Sequence, residues 1–204
     1  MHTEILNTNQ IELLPFVVQF KREYYLVGGT AIALHIGHRI SIDFDLFKQN
    51  KINENKIYKV LQSYPHNYKM TYRNAEQINF IINDVKFTFF SYLFNIKPEC
   101  ELKGTIKMPD LLTLAAMKAF ALGRRTKWKD YVDLFFIIKY HYSIEQISEK
   151  ANEIYGELFS SKLFRMQLPY FTGIDYTDEV IYIIPNPPSD EEIKKYLTDV
   201  CLIM

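Results

Sequence analysis

The sequence predicts an α/β (α+β) fold in which a mixed sheet with flanking helices is followed by a mostly α-helical second half. Before about residue 104, short strand patterns alternate with short helical patterns. From Pro109 onward, apolar residues recur mainly at helical spacing. The length of 204 residues suits one domain or two small subdomains. We therefore predict an α/β domain at 1–104 and a helical domain at 105–204 that completes a cleft, with the boundary near Lys103-Gly104.

The first half opens with a predicted helix at 9–20, because the apolar residues of this segment share one face. A short strand at 24–27 ends at Gly28-Gly29, and a helix at 30–36 follows with Thr30 as its N-cap. The remaining predicted elements of this half are a helix at 53–62 and strands at 40–47, 68–73, 77–82 and 85–92. A short turn at Asn83-Asp84 joins the last two strands.

The second half is predicted to be helical. Pro109 fits the first position of a helix, and Gly123 fits the end of that helix. The predicted helices lie at 109–122, 128–140, 143–156, 160–168 and 190–202. A rigid turn at Asn186-Pro187-Pro188-Ser189 precedes the last of them.

The charge balance excludes one class of nucleic-acid binding. Lys and Arg total 24, as do Asp and Glu, so no bulk positive field attracts RNA or DNA from a distance. Any such contact must use a local patch. Basic residues cluster once around Trp128, at Arg124, Arg125, Lys127 and Lys129. On charge alone, a solvated turn between helices is the favoured explanation of this cluster.

Cysteine spacing and the N-terminus point to a cytoplasmic protein without membrane contact. Cys100 and Cys201 are far apart and form no C-x-x-C metal motif, so we expect two reduced thiols. The N-terminal residues are polar and do not resemble a signal peptide. No apolar run approaches the roughly 20 residues that a membrane helix needs.

The first candidate site begins at Gly28, Gly29 and Thr30. Glycines between a strand and a helix let the backbone approach a ligand, and the N–H groups of the helix start then favour an anion. Thr30 could add a hydroxyl donor to a phosphate. Arg39 and Ser41, a few residues downstream, could also reach a triphosphate.

Asp43 and Asp45 follow on a predicted strand, where residues two apart share a face. Ile42, Phe44 and Leu46 are expected on the opposite face. Two adjacent carboxylates suit Mg²⁺ (or Mn²⁺), which prefers carboxylate oxygens together with substrate phosphates. A Gly-Gly turn or an Asp-x-Asp pair alone is weak, since both occur in ordinary turns and exposed strands. Their joint occurrence at this spacing favours a functional site.

The segment YYLVGGTAIALHIGHRISIDFDLF resembles the first motif of the nucleotidyltransferase family of the AbiEii/AbiGii abortive-infection toxins. That family belongs to the DNA polymerase β-like nucleotidyltransferase superfamily. The resemblance implies that Gly29 and Thr30 lie in the nucleotide-holding turn and that Asp43 and Asp45 are metal ligands. It also implies a nucleotidyltransferase-like sheet.

A second segment, LLTLAAMKAFALGRRTKWKDYVDLFFII, resembles the later motifs of the same family. The resemblance implies that Lys118 and Asp133 are catalytic and that Arg125 and Asp130 contact substrate. From the residues alone, Lys118 is a solitary charge in an apolar helix, and it needs a phosphate partner, an ion pair with Asp133, or a path to solvent. A Lys129–Asp133 pair and a helix-capping Arg125 remain structural alternatives.

The resemblance implies transfer of a nucleoside monophosphate from an NTP to an acceptor hydroxyl. The acceptor could be tRNA or another RNA, and the protein a toxin or phage-defence factor with a cognate antitoxin. One departure stands out: the superfamily places a third carboxylate on a later strand, where register puts Thr88, with Asp84 or Glu76 as substitutes off that strand position. This departure keeps open a non-catalytic nucleotide- or partner-binding module, and a protein-modifying nucleotidyltransferase is a further alternative.

Overall fold

The computed structural model of the chain describes residues 1–202. The chain divides into two compact units: the first comprises Met1–Asp110, and the second begins at Leu111. The first unit thus ends beyond Lys103-Gly104, because a β-hairpin that the sequence did not predict surrounds this dipeptide. Within the described residues, no helix is both long enough and apolar enough to cross a membrane.

The first unit is built on a five-stranded mixed sheet in the order β1-β2-β5-β4-β3. Its strands are β1 (Tyr25–Val27), β2 (Phe44–Lys48), β3 (Tyr68–Arg73), β4 (Gln77–Ile82) and β5 (Val85–Ser91). Only the β2–β5 pair is parallel, whereas β1–β2, β4–β5 and β3–β4 are antiparallel. Asn83 and Asp84 both have positive φ, as the predicted tight turn between β4 and β5 requires.

The buried face of this sheet is aromatic. Phe87 and Phe89 on β5 pack edge-on against Phe16 and Phe20, with ring centroids 5.2 and 4.9 Å apart. These four rings are fully buried. Aromatic rings bury a large apolar area per residue, so these four side chains contribute much of the apolar packing on this face of the sheet.

Four α-helices accompany the sheet of the first unit: α1 (Thr8–Glu12), α2 (Leu14–Val18), α3 (Gly28–Ile36) and α4 (Glu54–Gln62). The predicted helix at 9–20 is therefore divided, with Pro15 in the first turn of α2. Strands β6 (Cys100–Leu102) and β7 (Ile106–Met108) form the additional hairpin, and β7 lies beside β1. Cys100 and Cys201 are both free thiols, as expected.

The second unit is helical, as predicted. Its helices are α5 (Leu111–Ala121), α6 (Trp128–Tyr140), α7 (Ile144–Tyr155), α8 (Ser161–Gln167) and α9 (Asp190–Leu202). The α/β first half and the helical second half confirm the predicted fold class. The predicted helices agree closely because their caps are local: Ser143, for example, forms a capping box with Gln146 at the start of α7.

Candidate active site

The predicted phosphate turn lies between β1 and α3. The helix begins at Gly28, so its N-cap is Val27, and the prediction of Thr30 as N-cap was wrong. Gly28 has a φ of 74°, which glycine adopts without steric cost. Val27 makes no side-chain hydrogen bond to the first turn. Acceptors for the first N–H groups of α3 must therefore come from outside the cap.

The Asp45 carboxylate lies against this turn. A Cβ atom at Gly28 would stand only 2.2 Å from Asp45 Oδ2, so the contact exists because residue 28 is glycine. The carboxylate thus occupies the positive end of α3, where the helix dipole favours negative charge. Within residues 1–202, no hydrogen bond or ion pair engages the Asp45 carboxylate. A half-buried carboxylate in this state suits a cation.

Arg39 and Ser41 lie beneath the turn. A Cβ atom at Gly29 would stand 2.5 Å from Arg39 Nη2 and 3.1 Å from Ser41 Oγ. The Arg39 side chain is fully buried, and its Nη1 donates to the carbonyl oxygen of Ile40 at 2.9 Å. The contact of Arg39 and Ser41 with a triphosphate stays a prediction. The observed geometry shows that both residues support the backbone of the turn.

Thr30 is buried, and its hydroxyl is engaged inside the protein. It donates to the carbonyl oxygen of Asp43 and lies 3.0 Å from Ser41 Oγ, from which it can accept. These bonds tie the first turn of α3 to the segment that carries the aspartates. Thr30 thereby holds the two halves of the candidate site in register, whatever further contact it makes with a ligand.

The strand that carries the aspartates begins later than predicted. Asp43 immediately precedes β2, which starts at Phe44. Phe44 and Leu46, which were predicted to share a face, are both buried, whereas Ile42 precedes the strand and is 46% exposed. Asp43 and Asp45 are both half-buried. Asp43 is engaged by other groups of the protein.

Thr88 lies directly beside Asp45. The register of the parallel pair β2–β5 aligns Asp45 with Thr88, and the antiparallel pair β5–β4 aligns Thr88 with Asn79. Aligned residues share a face, so these three side chains form a row across the sheet. The Asn79 amide oxygen accepts from Gln77 Nε2 at 2.9 Å. The row contains one carboxylate followed by two neutral side chains.

In the described part of the chain, no three side chains of the His, Cys, Asp and Glu types lie together in a way that would hold a metal ion. Asp43 and Asp45 are therefore the acidic pair of the first unit, without a third carboxylate at Thr88. Such a pair suits one Mg²⁺ whose remaining ligands are water molecules and substrate phosphate oxygens.

The second predicted constellation forms a compact charge cluster in the helical unit. Lys118 on α5 points its Nζ at Asp130 Oδ1, 2.5 Å away, and at Asp133 Oδ2, 2.8 Å away, both on α6. The three side chains are almost completely buried. The ion pair with Asp133 was one of the sequence alternatives, and Asp130 joins it. The alternative in which Lys118 reaches solvent was wrong.

Arg125 completes this cluster from the turn between α5 and α6. Its Nε donates to Asp130 Oδ2 at 2.8 Å, and its Nη2 donates to Asp130 Oδ1 at 3.2 Å. Burial raises the pKa of the Asp130 carboxyl, but the charges of Lys118 and Arg125 outweigh that effect and hold the pKa below its ordinary value. Two cations and two carboxylates therefore balance within the cluster, and Lys118 has anionic partners without a ligand.

Carboxylates pair with two of the four basic residues in the patch around Trp128. Lys127 Nζ lies 2.8 Å from Asp178 and 3.3 Å from Asp175. Both aspartates lie in the segment LPYFTGIDYTDE, residues 168–179. The contacts of this segment were not predicted from the sequence. Since Arg125 is paired with Asp130, two of the four basic residues of the patch serve the fold directly.

Three-dimensional comparison identifies the architecture. MenT4, a nucleotidyltransferase toxin from Mycobacterium tuberculosis H37Rv, aligns with a TM-score of 0.66 and 10% identity, over 95% of this chain and 82% of MenT4. The chain has the nucleotidyltransferase fold. JHP933 from Helicobacter pylori aligns with a TM-score of 0.60 and 18% identity, over 95% of this chain and 89% of JHP933. A second Helicobacter pylori structure, of a provisionally assigned nucleotidyltransferase, aligns with a TM-score of 0.58 and 18% identity. The alignment covers 95% of this chain and 92% of that protein.

Sequence comparison adds a full-length relative. The uncharacterized protein aq_aa25 of Aquifex aeolicus (strain VF5) is 28% identical in an alignment over 198 residues, and the alignment covers 94% of this chain and 93% of the relative. No protein-family model matches the chain. At these identities the likeness to solved structures establishes the nucleotidyltransferase fold, and the activity is argued from the site.

Sequence reasoning missed two parts of the site. Asn79, the third member of the row that starts at Asp45, carried no signal because it lies far away in the chain and is joined only by strand pairing. The ion pairs of Lys127 with Asp175 and Asp178 were also missed, because these residues are distant in the chain. An excess of acids in the segment after Pro169 was the one available hint.

Proposed function

We propose that this protein is a metal-dependent nucleotidyltransferase. It transfers a nucleoside monophosphate from an NTP to an acceptor hydroxyl. The observation that carries the proposal is the Asp45 carboxylate packed against the Gly28 turn, at the positive end of α3, in a chain with the nucleotidyltransferase fold. Glycine is required at that contact, which supports a role for the turn in placing Asp45 beside the start of α3.

The residues of the first unit have distinct parts in this proposal. The N–H groups at the start of α3 bind the triphosphate, because the N-terminus of a helix favours an anion. Gly28 and Gly29 leave room for Asp45 and Arg39 beside that turn. Thr30 keeps the Asp43 segment against the turn. The acceptor oxygen bonds to the α-phosphorus as the bond to the β-phosphate oxygen breaks. Pyrophosphate leaves, and the proton of the acceptor hydroxyl passes to water.

Asp43 and Asp45 would hold Mg²⁺ or Mn²⁺, with triphosphate oxygens completing the coordination. When bound, the ion would neutralise phosphate charge and favour departure of pyrophosphate. The lack of a carboxylate at Thr88 favours a site that binds metal weakly until the nucleotide arrives. Lys118 and Asp133 as catalytic groups, and Arg125 and Asp130 as substrate contacts, remain predictions from the resemblance.

The proposed biological role is that of a toxin or phage-defence protein of the AbiEii/AbiGii type, with an RNA such as tRNA as acceptor and an antitoxin protein as partner. The similarity of the fold to that of the nucleotidyltransferase toxin MenT4 supports this proposal. The motif at 24–47 supports it independently. We also propose that the protein acts in the cytoplasm, where nucleoside triphosphates and RNA are both present.

The decisive experiment incubates the purified protein with each α-labelled NTP, Mg²⁺ and a cell extract, and then separates RNA from protein. We expect label in RNA with one or more NTPs, together with release of pyrophosphate. Asp45→Asn should abolish labelling while the protein keeps its melting temperature. Asp199→Asn, at an exposed carboxylate of α9, is the matched control and should label normally.

A second candidate function is a nucleotide-binding module without turnover, which the neutral Thr88 beside Asp45 favours. In that case calorimetry would detect NTP binding that depends on Asp45, but no label would enter RNA or protein. Label in protein alone would instead indicate a protein-modifying nucleotidyltransferase.

A further inference from the structure

Arg124 forms the outer layer of an aromatic stack in the helical unit. Its guanidinium carbon lies 3.7 Å from the centroid of the Phe120 ring. On its other side, Phe120 stacks on Tyr155, with ring centroids 3.8 Å apart and planes inclined by 8°. Tyr155 is buried, whereas Arg124 is exposed. The stack therefore presents a flat, positively charged outer layer to solvent.

The turn that carries Arg124 is held at both ends. Gly123 has a φ of 82°, and a Cβ atom there would stand 2.0 Å from Gln167 Nε2, so the turn packs closely on α8. On the other side, the Asp175 N–H donates to the Thr126 carbonyl oxygen at 2.7 Å. Arg124 is thus presented on a fixed backbone, which lowers the entropy cost of using it to bind a ligand.

Arg124 also differs from its basic neighbours in charge pairing. Arg125 is paired with Asp130, and Lys127 with Asp175 and Asp178. Among the ion pairs of residues 1–202, none involves Arg124. Lys129 also interacts with other groups of the protein. Arg124 is therefore the arginine of the predicted patch whose charge no carboxylate balances within residues 1–202, and its guanidinium already lies over an aromatic ring.

We propose that Arg124 is a stacking site for an unpaired nucleotide of single-stranded RNA. A nucleobase would lie on the outer face of the guanidinium, and the N–H edge would reach the adjacent phosphate. Arginine planes and aromatic rings are the groups on which unpaired bases stack. As an account of how the acceptor is held, this inference rests on the proposed function, but RNA binding can be measured without transfer.

The test measures binding of a fluorescein-labelled, mixed-sequence single-stranded RNA by anisotropy, with the same sequence as a duplex for comparison. Arg124→Ala should weaken binding of the single strand by at least about fivefold. Arg124→Lys keeps the charge but loses the plane, so it should recover little of that loss. Arg22→Ala removes an exposed arginine of the first unit and is the matched control for net charge.

Three results would overturn the proposal: unchanged affinity in Arg124→Ala, full recovery in Arg124→Lys, or equal binding of the duplex. Melting curves verify that each variant is folded. If the wild type binds no RNA yet labels protein with NTP, the stacking site is wrong and nucleotidyl transfer stands. If RNA binding depends on Arg124 but no label enters any acceptor, the stacking site stands and the proposed function is wrong.

Discussion

Thr88 on β5 is aligned with Asp45 on β2, and the two side chains stand next to each other on one face of the sheet. This pair is where a third carboxylate was expected, and it holds one negative charge instead of two. A site with one carboxylate fewer binds a divalent cation with lower affinity. We therefore expect metal binding to depend on the nucleotide.

Thr88→Asp should tighten Mn²⁺ binding by the nucleotide-free protein, because the new carboxylate would stand beside Asp45. Titration calorimetry with Mn²⁺, with and without a non-hydrolysable triphosphate, measures the effect. Thr88→Asn has the same shape without the charge and should bind like the wild type. Thr71→Asp on the exposed strand β3 controls for added charge. Equal Mn²⁺ affinity in Thr88→Asp and Thr88→Asn would show that residue 88 does not face the metal.

Gly28→Ala should impair nucleotide transfer more than it impairs stability. The new Cβ would stand 2.2 Å from Asp45 Oδ2, and that carboxylate can rotate away at the expense of its position. The backbone cost of alanine at positive φ is roughly 1–2 kcal/mol. Gly104→Ala is a matched control, since Gly104 has a φ of 71° and open space around it.

Urea unfolding and label transfer should be measured for both glycine variants. We expect similar losses of unfolding free energy, with activity lost only in Gly28→Ala. If both variants keep full activity, the contact between Gly28 and Asp45 has no part in catalysis.

Lys118→Met should destabilise the helical unit by about 3–5 kcal/mol, because it removes the cation that the buried Asp130 and Asp133 carboxylates share. If Lys118 reached solvent, which the sequence alone allowed, the same change would leave the stability unchanged. The measured loss of stability therefore distinguishes a buried Lys118 from an exposed one. Urea denaturation measures the loss, and Lys195→Met at an exposed ion pair should stay within about 0.5 kcal/mol. Addition of Asp133→Asn to Lys118→Met should restore part of the stability. A neutral Lys118→Met would contradict the buried cluster.

Acid should weaken the protein partly through Asp130. Its pKa is lowered in the folded state, so the unfolded chain takes up the proton first as the pH falls below about 4. The stability from this carboxylate is complete above that pH and is lost as the pH falls through the lower folded pKa. Asp130→Asn should therefore lower stability at pH 7 and flatten its decline in acid. Asp199→Asn should leave the slope near that of the wild type, and an unchanged slope in Asp130→Asn would refute the assignment.

Several features of this protein could be predicted because they depend on neighbours in the chain. The Gly28-Gly29 turn, the Asn83-Asp84 turn and the helices of the second half follow from backbone preferences and periodicity within a few residues. The spacing of Asp43 and Asp45 is likewise a local feature of the sequence. The division of the first helix at Pro15 and the late start of β2 were missed because element ends depend on packing as well as on pattern.

The sequence by itself determined the fold class, the order of most elements and the acidic pair, since these are properties of short segments. The tertiary structure decided which groups meet. Whether Lys118 faced solvent, a phosphate or a carboxylate could not be chosen from one helix, because the answer depends on α6 packing beside α5. Strand pairing decided that Asp45 stands beside Thr88 and Gly28. Contacts between distant residues depend on many weak packing interactions across the whole fold. They therefore cannot be predicted from the pattern of a short segment.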